Sequence, residues 1–130
     1  MPLEDWREAE SQIAAALRKL TNDGGNSNFV IVSCGDAYVQ FAGTRGGPDL
    51  YCEAVGNEYL PKDRQLGPEK IERLEQLGFN LDDDPPQFSR RFKVKDEAEA
   101  RALARTTLDI LAGVYGCRRD SQLSIEVTLE

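Results

Sequence analysis

Few residues in this chain could carry covalent or metal chemistry. Its 130 residues include no histidine. That excludes serine–histidine–aspartate and cysteine–histidine arrangements, histidine-bearing zinc sites, and general bases working through imidazole near neutral pH. The 3 cysteines, Cys34, Cys52 and Cys117, are odd in number and show no CxxC spacing. They read as buried or partly buried thiols in a reducing compartment, not as a disulfide framework. Asp82-Asp83-Asp84 could offer carboxylates to a divalent cation, but it lacks the alternating spacing and the glycine of a calcium loop. A solvated acidic turn is expected there. Gly43, Gly46 and Gly47 have the composition of a phosphate cradle. No Lys-Ser/Thr follows, and the segment joins two strands instead of opening a helix, so a hairpin turn is expected. No carboxylate pair stands out, nor any serine or cysteine beside a base. The expectation is a protein that is not an enzyme, with no cofactor and no metal site.

Charge narrows the partners. There are 16 Lys and Arg against 23 Asp and Glu, a net charge of −7, which opposes docking on phosphate backbones or anionic lipid. Arg91, Lys93 and Lys95 form a basic stripe and Arg118-Arg119 a small cluster. Stacking aromatics are missing beside them, so both read as solvated faces instead of a nucleic-acid footprint. No apolar run approaches the ~18 residues that span a bilayer, and the start, Met1-Pro2-Leu3-Glu4-Asp5, is acidic, unlike a signal peptide. Neither a nucleic acid nor a membrane is expected as a partner, and the expected setting is the cytoplasm.

The elements that position these residues follow from periodicity. Trp6, Ile13, Leu17 and Leu20 mark a helical stripe over roughly residues 3–20, with Glu4 and Asp5 in its first turn and Arg18 and Lys19 in its last. Residues 22–28 end it. Strands are expected over 29–34, 37–43 and 50–55, joined by short turns into an antiparallel meander. Residues 56–65 show no period and read as a loop. Pro68 opens a second helix that Gly78 closes, with Phe79 folding back on its last turn. Residues 87–95 alternate as a strand with Phe88, Arg90, Phe92 and Val94 on one face. Asp96, with Glu99 three residues on, caps a long helix to about Val114, and Gln122 to Leu129 alternate as a last strand. The fold class is α+β in a single domain covering 1–130, in the order α-β-β-β-α-β-α-β, with an antiparallel sheet.

Three amphipathic helices can roof one face of such a sheet but hardly two. Yet the meander carries apolar or aromatic residues on both. On the face expected to lack helices, Tyr38 and Gln40 meet Tyr51, Glu53 and Val55, with Phe29 and Ile31 on the strand beside them. A patch of this kind marks a surface that docks a peptide or a second subunit, or one closed by the 56–65 loop and the termini. Gln40 and Glu53 are then hydrogen-bonding groups of that surface or plain solvated residues. Arg90, among Phe88 and Phe92, either pairs with a carboxylate at the sheet edge or contacts a bound ligand. The alternative function read from the same face is a regulatory or sensory module that binds a small molecule or a protein partner.

Several pieces, taken in order, resemble a known family. They are Asp36-Ala37-Tyr38-Val39-Gln40-Phe41-Ala42, then Leu50 to Leu60 with its EA-x-x-N-x-YL pattern, then Leu74-Glu75-Gln76-Leu77-Gly78-Phe79, and the helix ending near Val114-Tyr115-Gly116. Over roughly residues 4–117 the chain is similar to the TY-Chap domains, bacterial proteins grouped with the type III secretion chaperones and YbjN. The resemblance implies a secretion-chaperone-like fold, often a homodimer, that holds extended peptide segments of client proteins. It departs from the family at Gly67, where a serine usually caps the middle helix, and at Phe79, where a tryptophan is usual. The strand at 122–129 lies beyond the recognised part and is expected to extend the sheet edge or to exchange with a second subunit.

Overall fold

The computed structural model describes residues 2–3, 6–23, 28–43, 47–83 and 86–129. Its elements follow in the order β1 (Pro2–Leu3), α1 (Ala9–Asp23), β2 (Phe29–Cys34), β3 (Ala37–Gly43), β4 (Asp49–Ala54), α2 (Pro68–Gln76), β5 (Asn80–Asp83), β6 (Pro86–Lys93), α3 (Glu97–Gly113) and β7 (Leu123–Thr128). Two short 3₁₀ turns, Asn57–Tyr59 and Lys62–Arg64, shape the segment expected to be a loop. The strands form one antiparallel sheet in the order β1-β7-β2-β3-β4-β6-β5.

The β2–β3–β4 meander forms as its alternation requires. Gly35 supplies the positive φ of 61° that the tight β2–β3 turn needs. Val30, Val32, Val39, Phe41, Leu50, Cys52 and Ala54 all point to one face and are fully buried. Helices α1 and α3 pack on each other and against this face. They bring Ile13, Leu17 and Leu20 from α1, and Leu103, Ile110 and Leu111 from α3, into the same core.

Helix ends follow local chemistry. The Asp96 carboxylate accepts from Glu99 N at 2.8 Å, while the Glu99 carboxylate accepts from Lys95 N at 2.9 Å, a reciprocal cap on α3. Gly78, at φ 90°, ends α2, and Phe79 N then donates back to Leu74 O at 3.0 Å with the Phe79 ring buried. Between β4 and α2, Asn57 ties the 3₁₀ turns together. Its side chain donates to Leu66 O at 3.0 Å and accepts from Leu66 N at 2.6 Å.

The structure differs from expectation at two places. Helix α1 begins at Ala9, because Pro2 and Leu3 are extended and pair with Ser124 and Leu123. It also runs on to Asp23, which leaves Arg18 and Lys19 short of its last turn; Glu4 and Asp5 lie outside the described residues. Asp82 and Asp83, expected in a solvated turn, belong to β5 and pair with Gln87 and Pro86, while Asp84 lies outside the described residues. With Leu81 as the only apolar residue of Asn80–Asp83, no alternation signalled that strand. The last strand, β7, extends the sheet beyond β2 within the same chain, the first of the two outcomes expected of it. It pairs with β2 over Phe29–Ser33 and carries β1 on its other side.

Candidate functional site

The strand register defines the second face of the sheet. Across it, Thr128, Phe29, Ala42, Tyr51 and Arg91 lie side by side, and the next row is Glu126, Ile31, Gln40, Glu53 and Ser89. Tyr38 pairs with Ser33 one step further along. On β2, β3 and β4 the residues of the first face are fully buried, while Phe29, Ile31, Tyr38, Gln40, Tyr51 and Glu53 stay half-buried. Helices α1 and α3 pack on the opposite side, against the buried residues of the first face.

The grouping is chemically mixed. The Tyr38 hydroxyl is pushed above its ordinary range, first by burial and then by the nearby charge of Glu53 and by Tyr59. Those three groups are therefore neighbours at one end of the face. Tyr38 also packs its ring against the core, whereas Tyr59 is 50% exposed. At the other end the Arg91 guanidinium lies 5.7 Å from the centre of the Tyr51 ring, directly across the β4–β6 ladder. The face thus offers aromatic rings and aliphatic area flanked by Glu53 and Glu126 in one row and by Arg91 in the other.

Of the residues expected here, Tyr38, Gln40, Tyr51 and Glu53 come together. Val55 does not. It follows the end of β4, is fully buried, donates its N–H to Tyr38 O at 3.1 Å, and receives the Tyr115 hydroxyl on its carbonyl at 2.7 Å. Alternation stops where the ladder stops, so extending it by one residue misplaced this side chain. Arg90 is also elsewhere. It belongs to the helix-covered face, donates to Leu77 O at the end of α2, and holds its guanidinium 4.4 Å from the centre of the Phe92 ring. The carboxylate partner expected of it is replaced by a backbone carbonyl, because α2 ends within reach of its long side chain. Tyr59 was not singled out from the sequence. Its place in the EA-x-x-N-x-YL pattern was the available signal, but a segment without periodicity gives no face to assign.

Cavities of about 290, 470 and 430 Å³ lie elsewhere: beside Arg18 at the end of α1, beside Cys34 and Cys117, and between Gly67 and Tyr115. Among the described residues no cluster of three or more His, Cys, Asp or Glu side chains could hold a metal ion, and no helix is long and apolar enough to cross a membrane.

The architecture is an α+β sheet whose first face is buried under helices and whose second face carries half-buried aromatics. Over residues 3–128 the sequence matches the family model TY-Chap3, described as T3SS (YopN, CesT) and YbjN peptide-binding chaperone 3. The chain belongs to this family of peptide-binding chaperones, and the match takes in β7, beyond the part recognised from motifs. No curated protein and no solved structure matches the chain.

Proposed function

We propose that this chain is a non-enzymatic chaperone that holds an extended segment of a client protein on the open face of β2, β3 and β4. The observation that carries this reading is the group of half-buried rings and aliphatics, Phe29, Ile31, Tyr38 and Tyr51, left on the side opposite the helices. Tyrosines suit the task because they bury area with little entropy to lose and keep a hydrogen-bonding tip. Glu53, with the exposed Glu58 and a net charge of −7, favours basic or neutral segments over acidic ones. The same reading carries a homodimer in the cytoplasm, without nucleic-acid or membrane partners; sedimentation of the untagged protein at micromolar concentration tests the dimer.

The test uses an array of unstructured peptides graded by net charge. Basic and neutral peptides are expected to bind and acidic ones to fail. Tyr38→Ala and Tyr51→Ala should each weaken binding by about tenfold, the usual effect of losing one central aromatic contact. The Tyr51 variant should keep the parent melting temperature, since that ring is not part of the core cluster. Full binding by both variants would place the site elsewhere.

A further inference from the structure

Away from the open face, two of the three cysteines meet. Cys34 is the last residue of β2, and Cys117 follows the Gly116 turn after α3, so 83 positions of sequence separate them. The Cys117 thiol donates to the backbone carbonyl of Cys34, with Sγ 3.6 Å from the oxygen, and Cys34 is among the groups that raise the Cys117 thiol. Cys34 Sγ is also 3.3 Å from Ser121 Oγ. Each cysteine is 7% exposed, and both line the cavity of about 470 Å³ together with Asp36, Arg64 and Arg118. Cys34 closes β2 just before the Gly35 turn, and Cys117 follows the Gly116 turn; both glycines take positive φ.

We propose that Cys34 and Cys117 form a redox-active dithiol that closes to an intrachain disulfide by exchange with a low-molecular-weight disulfide. A disulfide needs Cβ atoms about 3.5–4.5 Å apart, a separation set by the two backbones, which the 3.6 Å contact of Cys117 Sγ with Cys34 O brings together; closing the bond then turns each Sγ towards the other. In the first step one cysteine thiol gives its proton to water, and its sulfur attacks a sulfur of the small disulfide. One small thiolate is expelled and takes up a proton. The second cysteine, deprotonated in turn, attacks the protein sulfur of the mixed disulfide and expels the other small thiolate, which is also protonated. The dithiol loses two electrons and the small disulfide gains them, becoming two thiols. Burial, and then Cys34, hold the Cys117 thiol protonated against the weaker pull of Arg64, so exchange is slow at neutral pH. Cys52, fully buried, faces neither partner's cavity and acts as an internal control. The inference does not depend on peptide binding.

The folded full-length chain is incubated with oxidised glutathione, then unfolded, alkylated and weighed intact. The expected product has lost two of its three alkylation sites, and its digest contains a Cys34–Cys117 linked peptide with Cys52 alkylated. Cys34→Ser and Cys117→Ser should each abolish the linked peptide. Retention of all three sites overturns the proposal. So does arrest at the mixed disulfide, a bond through Cys52, or a bond between two chains.

Discussion

Burial sets the protonation of several individual side chains and so ties stability to alkaline pH. The Tyr115 hydroxyl, bonded to Val55 O inside the core, is held far above its ordinary range, first by burial and then by Cys52 and Tyr38. Cys52 is raised strongly by burial in the same way, and the Cys117 thiol is pushed from 9.0 up to about 12. In each case the folded state keeps a proton that the unfolded chain releases more easily. The associated stability is therefore complete below about pH 9 and is lost as pH climbs towards 12. Each group removes up to about 1.4 kcal/mol per pH unit inside its window. Urea midpoints should fall across that range, and Cys52→Ala and Cys117→Ser should each make the decline shallower. A decline of unchanged slope in both variants would show that other groups govern it. At this scale Tyr38, Gln40, Tyr51 and Glu53 were legible because strands alternate strictly. Val55 and Arg90 were not, because a ladder's end and a long side chain's reach are set by neighbours remote in sequence.

The helices show where local sequence is strong and where it leaves room. Helix α3 has a reciprocal cap from Asp96 and Glu99, whereas α2 begins at Gly67 with no side-chain bond. Gly67 has φ −80° and ψ 175°, and a Cβ there would meet nothing within 4 Å. Gly67→Asp should therefore gain about 0.5–1 kcal/mol, from a new acceptor for the first-turn N–H groups and a less flexible unfolded chain. Chemical denaturation measures it, and a loss of stability would contradict the cap geometry. Gly78 offers no such opening. Its φ is 90°, and a Cβ would come 3.2 Å from Arg90 Nε, so a side chain there would meet both strain and a crowded guanidinium.

The whole molecule depends on its last strand. β7 lies between β1 and β2, and its Leu123 and Ile125 belong to the same core as α1 and α3. A chain ending at Gln122 would expose the β2 ladder and open that core, and it should lack the near-ultraviolet dichroism of a packed structure. A truncated chain that folds with native spectra would mean that β7 is dispensable. The ion pairs of Glu10 with Arg105 at 2.7 Å and Arg101 at 3.5 Å, which join α1 to α3, contribute little beside this, because all three side chains are substantially exposed.

The sequence by itself determined the strand meander, the presence of both long helices and the ends of α3, the absence of imidazole chemistry and the side of the sheet on which Tyr38 and Tyr51 stand. Each depends on periodicity or composition within a short stretch. Tertiary structure alone decided the interior place of β7, the pairing of Pro2 and Leu3, the strand at Asn80–Asp83, and the meeting of Cys34 with Cys117. These are contacts between segments far apart in the chain or too short to show a period, and they form only when the whole sheet and its helix layer close on one core.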